Sequence, residues 1–345
     1  MKKFYIFILL IVIFAIAGYF FWTNFFESPV KTENPIFKFL SDKCYHSLND
    51  DKGNLKGLII GIVNDNDVNI YGYGKINDED INIPDGNSEF GIASLTKTFT
   101  GLLLAKLSVK GIVDYDDTAV LIKDKPVTFR QLVTHTSGLP WMPSNVKDDK
   151  DYTKSDLKDF IKDYELSREP GSKFEYSSAG FAVLGMVLAE KSKYKSFENA
   201  LENEIIKPLS LKHTSFNAIT PFNAGGRMIS CVNDLSVFLK ANMYSERFSE
   251  LKNAIFLTQK KSSKMQTFPG SVATLGWELF NDNIYWHSGT GSGCTSFMAF
   301  DKNKDYGIIV AAFGNIQTSN VAMASFTLLG GIVNSNNTST IESFH

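Results

Sequence analysis

Cysteine and histidine are scarce in this chain of 345 residues, which contains three cysteines and five histidines. Cys44, Cys231 and Cys294 are too few and too widely spaced for a disulfide framework. No histidines have the His-Glu-x-x-His or His-x-His-x-Asp spacing of a zinc site, and His135 and His213 are expected to be structural. We therefore expect buried cysteines that behave as small apolar residues, and neither a metal nor a cofactor.

An excess of charge of either sign is also absent, since 35 basic residues stand against 37 acidic ones and the net charge is -2. No basic face, arginine-rich run or low-complexity tract is visible, so nucleic acid is not an expected partner. Nothing in the sequence identifies a protein partner. Hydrophobic residues make up 43% of the chain, which is enough for a large core and two lobes.

The N-terminus carries an uncharged apolar run over residues 4–22, directly after Lys2 and Lys3. The run is about long enough to cross a bilayer, and the lysines favour a cytoplasmic start with the rest of the chain exported. We favour an uncleaved membrane anchor that leaves the folded part on the periplasmic or extracellular side. The alternative is a signal peptide that is cleaved near Ala17, after which the protein is secreted.

Strand patterns occur at both ends of the chain. Residues 58–63 and 68–73 are β-rich runs on either side of a turn composition and predict a hairpin. Later strands are predicted at 276–280, 284–287, 295–300 and 306–312. The segment between the two groups is rich in helical patterns. This arrangement predicts an α+β fold with one antiparallel sheet, formed from both chain ends and flanked by helices, and an inserted, mainly helical lobe.

These patterns divide the chain into three parts. Residues 1–26 are assigned to the anchor or signal segment, and residues 27–35 to a polar, proline-containing tether. The folded domain is expected over 36–340. Its α/β lobe is predicted at about 36–120 and 271–340, and its helical lobe at about 121–270.

Helical patterns are clearest after residue 94. Apolar residues recur at three- and four-residue spacing from Ser94 to Lys110, and Gly111 is a stop signal. Thr128 and Thr153 each fit a capping box before a short helix. Further helices are predicted at 179–190, 197–206 and 234–243.

A serine and a lysine three residues apart on a helix face the same side, so the amine can take the proton of the hydroxyl group. The chain contains this spacing at six serines: Ser28, Ser94, Ser144, Ser155, Ser192 and Ser249. Only Ser94 follows a strand-like segment and begins a strongly apolar helix; the others lie in the tether or in polar and charged stretches. At such a helix start, free backbone N–H groups and the helix dipole favour a developing oxyanion. Ser94 is therefore the predicted nucleophile.

Two further motifs follow along the chain. Tyr176-Ser177-Ser178 comes after a Pro-Gly turn and before an apolar helix, and His287-Ser288-Gly289 ends a strand-like segment. Together with Ser94-Leu95-Thr96-Lys97, they resemble the three motifs of the class C β-lactamases and the related serine D-Ala-D-Ala carboxypeptidases. Further landmarks of that family of penicillin-recognising serine hydrolases match at 134–140, 169–174, 207–211 and 276–277. The resemblance covers the chain from about Ile36 to the C-terminal region and implies a β-lactamase/transpeptidase-like fold.

The resemblance also implies a role for each matching residue. Ser94 is the residue that would be acylated, with Lys97 and Tyr176 sharing the proton transfers as general base and proton shuttle. A neighbouring ammonium group stabilises a tyrosine phenolate, which suits Tyr176 to that role. The backbone N–H groups of Ser94 and Thr290 would form the oxyanion hole. The implied substrate-binding residues are Ser178, His287, Gly289 and Thr290.

The motifs depart from the family pattern at two positions. The second motif commonly ends in Asn, whose amide binds the acylamide of the substrate, whereas Ser178 is shorter and has one donor. The third motif often begins with Lys, a permanent cation for the substrate carboxylate, whereas His287 is mostly neutral at neutral pH unless an acidic partner raises its pKa. Some carboxypeptidases, aminopeptidases and esterases of the family have His there. These departures argue against efficient β-lactam hydrolysis but not against serine hydrolase chemistry.

The sequence predicts an enzyme, a serine acyl-hydrolase that forms an acyl-enzyme on Ser94. Its expected substrate is a small molecule or peptidoglycan peptide, either a β-lactam or a D-alanyl-D-alanine-type peptide. One alternative is an esterase or a D-amino-acid amidase or aminopeptidase of the same fold, and another is a non-catalytic penicillin-binding sensor. A nucleotide-binding loop at 289–293 is excluded, because a strand and not a helix is predicted after these glycines.

Overall fold

The computed structural model describes residues 34–49 and 53–335. The predicted anchor at 4–22 and nearly all of the tether lie outside these residues. Within the described ranges, no helix combines the length and the apolar character that crossing a membrane requires. The first described helix begins at Pro35, and the side chain of Asn34 caps it by accepting hydrogen bonds from the amides of Ile36 and Phe37.

The described elements form runs of strands and runs of helices along the chain. The strands are β1 (Leu55–Val63), β2 (Val68–Gly74), β3 (Phe90–Gly91), β4 (Thr118–Ile122), β5 (Lys125–Thr128), β6 (Ser215–Phe216), β7 (Met228–Ser230), β8 (Ser271–Ala273), β9 (Glu278–Phe280), β10 (Ile284–Gly291), β11 (Cys294–Asp301) and β12 (Tyr306–Gly314). The α-helices are α1 (Pro35–Leu48), α2 (Thr96–Val109), α3 (Phe129–Val133), α4 (Lys154–Asp163), α5 (Ser178–Ser192), α6 (Phe197–Leu201), α7 (Val232–Met243), α8 (Lys252–Thr258) and α9 (Thr318–Ser335). A π-helical turn, Glu202–Ile206, extends α6.

Seven strands form one antiparallel sheet in the order β2-β1-β12-β11-β10-β9-β8. The first strand, β1, lies beside the last, β12, with Ile60 opposite Val310. Because these two strands come from opposite ends of the chain, the sheet cannot be completed until both ends have folded. The predicted α+β fold, with an antiparallel sheet built from both chain ends, is confirmed.

Both faces of this sheet are covered. Side chains alternate between the faces of a strand. In β1, Leu58 and Ile60 pack in a cluster with residues of α1 and α9. Ile59 and Val63 pack on the other side in the main core, which includes α2, α5 and α7. Burial on both sides explains why residues 58–63 are a continuous apolar run and not an alternating one.

Two glycines allow α2 to lie against the chain that leads into β9. A Cβ atom at Gly101 would lie 2.1 Å from the carbonyl oxygen of Leu275, and one at Gly276 would lie 2.4 Å from that of Lys97. Gly276 also has a φ of +90°, which side chains rarely permit. The predicted strand at 276–280 therefore begins two residues late, at Glu278. This close approach places the first turns of α2 next to the segment before β9, the strand that pairs with the β10 strand of the third motif.

The remaining expectations have mixed outcomes. Both capping boxes, at Thr128 and Thr153, are present. All three cysteines are buried and free. The glycine-rich stretch forms the turn between β10 and β11, with Gly293 at φ +76°. Helices α1, α8 and α9 and strands β4 to β8 were not predicted. The lobe boundaries near 120 and 270 stay predictions.

Candidate active site

Ser94 lies in a turn of 3-10 helix, Ala93–Leu95, that leads directly into α2. The amide of Ile92 donates to the carbonyl of Met228 at 2.9 Å, which ties the preceding strand to β7. Ala93 has a φ of +47°, in the left-handed region that residues other than glycine seldom adopt. The serine is therefore presented by a strained strand-to-helix connection whose two sides are anchored.

Two motif side chains meet at the Ser94 hydroxyl group. The Lys97 ammonium donates to Ser94 Oγ at 3.1 Å and also to the carbonyl of Gly225. The Tyr176 hydroxyl donates to the same Oγ at 2.8 Å. Lys97 is fully buried, and its Nζ lies 4.8 Å from the ring centre of Tyr176 and 5.1 Å from that of Phe181. Two groups that exchange protons thus contact the one oxygen that would act as nucleophile.

His135 holds the segment that carries Tyr176. Its Nδ1 accepts a hydrogen bond of 2.9 Å from the amide of Ser177, and its carbonyl accepts one of 2.8 Å from the amide of Glu175. Its ring stacks on the Tyr176 ring at 4.2 Å between centres. Burial, and secondarily the charge of Lys97, lowers the pKa of His135 well below its usual value, so the ring is neutral and Nδ1 can accept. The expected structural role of His135 agrees with these contacts.

His287 lies in β10 and is buried. Its Nδ1 is 2.6 Å from the carbonyl oxygen of Ser288, so this nitrogen carries the ring proton, because a carbonyl only accepts. Burial, reinforced by the charge of Lys97, lowers the pKa of His287 to about 3. Within residues 34–49 and 53–335 no carboxylate forms an ion pair with it. The imidazole is neutral at neutral pH and offers no fixed positive charge to a substrate.

The last residues of β10 pass beside Ser94 along an edge of β10 that no longer pairs with β9. Pairing of β10 with β9 ends at Trp286, opposite Glu278. At Gly289 a Cβ atom would lie 2.5 Å from the carbonyl oxygen of Ile92 and 3.0 Å from the amide nitrogen of Ser94. This contact requires glycine, and it brings the backbone just before Thr290 to the start of α2. The predicted pair of oxyanion donors is therefore carried by two backbone segments in direct contact.

A cavity of about 860 Å³ opens above Ser94. Of the seven sequence-predicted site residues, five line it: Ser94, Tyr176, Ser178, His287 and Thr290. The other two, Lys97 and Gly289, do not line the cavity but lie against Ser94. The amide of Ser178 donates to the carbonyl of Trp141 at 2.9 Å. The structure thus brings all seven residues together around Ser94.

Several cavity residues were missed in the sequence. Trp141 directly follows the landmark at 134–140 and is 65% exposed at the rim, a position that its sequence context could have indicated. Arg227 pairs with Asp149 at another part of the wall. Glu278 directly follows the Gly276-Trp277 landmark and is buried in the wall. Over the described ranges, no group of three or more His, Cys, Asp or Glu side chains could hold a metal ion.

Comparison with known proteins places this constellation in a family. The Beta-lactamase family model matches residues 42–326. The chain belongs to the beta-lactamase family. The serine, lysine and tyrosine of the motifs that resemble this family are in mutual contact in the structure.

Relatives of this beta-lactamase family chain occur in distant organisms. Protein flp of Staphylococcus aureus (strain NCTC 8325 / PS 47) is 28% identical over 338 residues, covering 85% of this chain and 66% of Protein flp. The chain thus spans just under two thirds of the length of that relative. Beta-lactamase-like protein 4 of Dictyostelium discoideum is 32% identical over 171 residues, covering 42% of this chain and 30% of that protein.

A solved structure shows the same fold. The octameric penicillin-binding protein homologue from Pyrococcus abyssi superimposes with a TM-score of 0.72 at 24% identity. The superposition covers 85% of this chain and 77% of that one. At this identity the likeness concerns the fold alone, and it agrees with the sheet built from both chain ends.

Proposed function

We propose that this family member is a serine acyl-hydrolase that forms an acyl-enzyme on Ser94 and acts on β-lactams or D-alanyl-D-alanine-type peptides. One observation carries the proposal. Ser94 Oγ accepts hydrogen bonds from Lys97 at 3.1 Å and from Tyr176 at 2.8 Å at the floor of an open cavity. A hydroxyl group becomes an effective nucleophile when such neighbours take its proton.

The contacts support a two-step reaction. The step requires one neighbour in its deprotonated form, Lys97 as the free amine or Tyr176 as the phenolate. Ser94 Oγ then bonds to the substrate carbonyl carbon while its proton passes to that base. The resulting oxyanion accepts hydrogen bonds from the amides of Ser94 and Thr290. Collapse of the tetrahedral intermediate breaks the C–N bond, and the proton moves through Tyr176 to the departing nitrogen. Water then attacks the ester carbonyl carbon and gives one proton to the same base. Collapse of the second tetrahedral intermediate breaks the C–Oγ bond, that proton passes to Ser94 Oγ, and the acyl group leaves as a carboxylic acid.

A second candidate function has its own support. His287 is neutral and buried, so the third motif supplies no fixed cation for the carboxylate of a penicillin or a D-Ala-D-Ala terminus. Ser178 has one donor where an asparagine would offer an amide. These two features favour an esterase or a D-amino-acid amidase or aminopeptidase that uses the same nucleophile. A sensor that stays acylated is the third candidate.

The nucleophile is tested by Ser94→Ala. We expect this variant to lose covalent labelling by a fluorescent penicillin and all hydrolysis of nitrocefin, of a D-Ala-D-Ala peptide, of a D-alanine amide and of a short ester. Ser155→Ala is the matched control, because Ser155 has the same Ser-x-x-Lys spacing but lies exposed on α4. Turnover that persists in Ser94→Ala would contradict the assignment.

The same substrates separate the candidates. Mass spectrometry of the wild-type protein with penicillin gives a rapidly lost adduct for a β-lactamase and a persistent one for a sensor or a slow carboxypeptidase. Ester hydrolysis without any penicillin adduct indicates the esterase.

Export and membrane attachment through residues 4–22 form the last part of the proposal, supported by the apolar run after Lys2 and Lys3. Removal of residues 1–26 is expected to move the protein from the membrane fraction to the soluble fraction. N-terminal sequencing of the full chain from its host distinguishes an anchor, which keeps residue 1 or 2, from a signal peptide cleaved near Ala17. A soluble full-length protein with an intact N-terminus would contradict both.

A further inference from the structure

Glu278 is a carboxylic acid in the wall of the active-site cavity. It begins β9 and lies opposite Trp286 of β10, at the last pair before the two strands separate. Only 4% of the residue is exposed, yet it lines the same cavity as Ser94. The reaction described above has no role for it.

The surroundings of Glu278 do not balance a negative charge. The Thr267 hydroxyl donates to Oε2, and among the residues described by the structure it is the one side chain that hydrogen-bonds to this carboxylate. No lysine, arginine or histidine of these residues forms an ion pair with it. Burial raises the pKa of Glu278 to about 7, and the bond from Thr267 opposes that rise only in part. A buried carboxylate without a cation is costly.

Another buried glutamate, Glu204, shows how a buried carboxylate is usually stabilised, namely by a cationic side chain. Glu204 is 5% exposed, about as buried as Glu278. Its two carboxylate oxygens each accept a hydrogen bond of 2.6 Å from Lys110, and the Tyr194 hydroxyl donates to it at 2.8 Å. Glu278 lacks such a cation, and it faces a cavity through which one could arrive.

The neighbouring rings favour the same kind of ligand. Phe268 and Trp286 both line the cavity, with their ring centres 5.4 Å apart. Trp286 is the cross-strand partner of Glu278, and Phe268 directly follows Thr267. Aromatic faces attract ammonium groups, and indole does so most strongly. A carboxylate beside an indole and a phenyl ring is therefore suited to a cation.

We propose that Glu278 forms a subsite for a primary ammonium group of the substrate, with Trp286 and Phe268 as its walls. This inference rests on the proposed function, because it names the substrate class that the Ser94 site selects. It predicts that acyl compounds bearing an ammonium group are preferred over otherwise identical neutral ones. The carboxylate gains the cation that the protein itself does not supply.

The test compares two penicillins with identical acyl side chains, except that one ends in an ammonium group and the other in an isosteric methyl group. The second-order rate constant of acylation is measured by mass spectrometry. We expect the wild-type protein to prefer the ammonium compound by about tenfold, as for one charge-assisted contact of about 1.4 kcal/mol. Glu278→Gln should bring the ratio close to one, and Glu278→Asp should keep part of the preference. Glu204→Gln, the matched control, should keep all of it.

A second measurement separates this inference from the proposed function. Calorimetry on Ser94→Ala, with and without Glu278→Gln, measures binding of the two penicillins where no acylation can occur. If Ser94→Ala binds both equally, or binds neither, the ammonium subsite is ruled out. If it prefers the ammonium compound but the wild-type protein is acylated by neither, the subsite stands and the proposed reaction fails. Circular dichroism of Glu278→Gln verifies that the fold is kept.

Discussion

The hydroxyl group of Tyr176 lies 2.8 Å from that of Ser94, although the two residues are 82 positions apart in the sequence. Ser94 is held at the start of α2, and Tyr176 is held by the stacked ring of His135 just before α5. Each residue is thus positioned by its own segment of the chain. The contact is therefore built in advance of any substrate, as catalysis by a preorganised site requires.

Tyr176→Phe removes the hydroxyl group that we propose as the proton shuttle and keeps the ring that stacks on His135. We expect the acylation rate to fall by about 10²- to 10⁴-fold, the usual contribution of a positioned proton-transfer group. The acylation rate is measured by stopped-flow with nitrocefin or a nitrophenyl ester. Tyr152→Phe is the control, because Tyr152 is also buried but its hydroxyl group bonds to Asn145 at 2.8 Å. A comparable rate loss in both variants would show that Tyr176 acts through stability alone.

Gly289→Ala places a methyl group between β10 and the Ser94 turn. The new Cβ would lie 2.5 Å from the carbonyl oxygen of Ile92, a backbone atom that cannot move without displacing the oxyanion donors. We expect kcat to fall by about 10²-fold or more. Gly330→Ala in α9 is the control, because nothing lies within 4 Å of its added Cβ. Normal kcat in Gly289→Ala would mean that the two backbone segments do not form the oxyanion hole.

His287→Lys tests the third motif. His287 is neutral, with a pKa of about 3, so the wild-type site offers no cation to a substrate carboxylate. A lysine at this position would supply one. We expect kcat/KM to rise for a carboxylate-bearing substrate relative to a neutral ester, by about tenfold for one added charge contact. The ratio of the two kcat/KM values is the measurement. An equal change for both substrates would show that residue 287 does not contact the carboxylate.

Glu278 makes the stability of the wild-type protein depend on pH. Its pKa rises from 4.5 to about 7 on folding, so the folded state holds a proton that the unfolded state releases. Stability is therefore lost as the pH rises from about 4.5 to 7, by up to about 3 kcal/mol. Glu278→Gln should remove this loss. The measurement is the free energy of unfolding of both proteins, determined with denaturant at pH 4.5 and at pH 8.

Glu204→Gln is the control for that measurement and should act in the opposite direction. Burial acts to raise the pKa of Glu204, but the bonds from Lys110 and Tyr194 outweigh it and lower the pKa. Loss of this carboxylate should cost stability at pH 8 and little at low pH. If Glu278→Gln behaves like Glu204→Gln, the Glu278 carboxylate has a partner after all.

Local patterns in the sequence were enough for much of the fold. Apolar periodicity and turn residues located β1, β2, α2, α5 and the last strands, because these signals depend on neighbours a few positions away. Helix α9 was missed although its buried residues Val321, Leu328 and Ile332 recur at helical spacing, because Gly330 and Gly331 weaken the local propensity. Its burial against α1 and the sheet outweighs that weakness.

The sequence by itself determined the family and the candidate catalytic residues Ser94, Lys97 and Tyr176, because a motif at a helix start is recognisable from its immediate context. Only the tertiary structure decided the charge of His287 and the lack of a cation beside Glu278. Both depend on burial and on which charges are brought close from distant parts of the chain. The desolvation of a group cannot be read from the order of the residues.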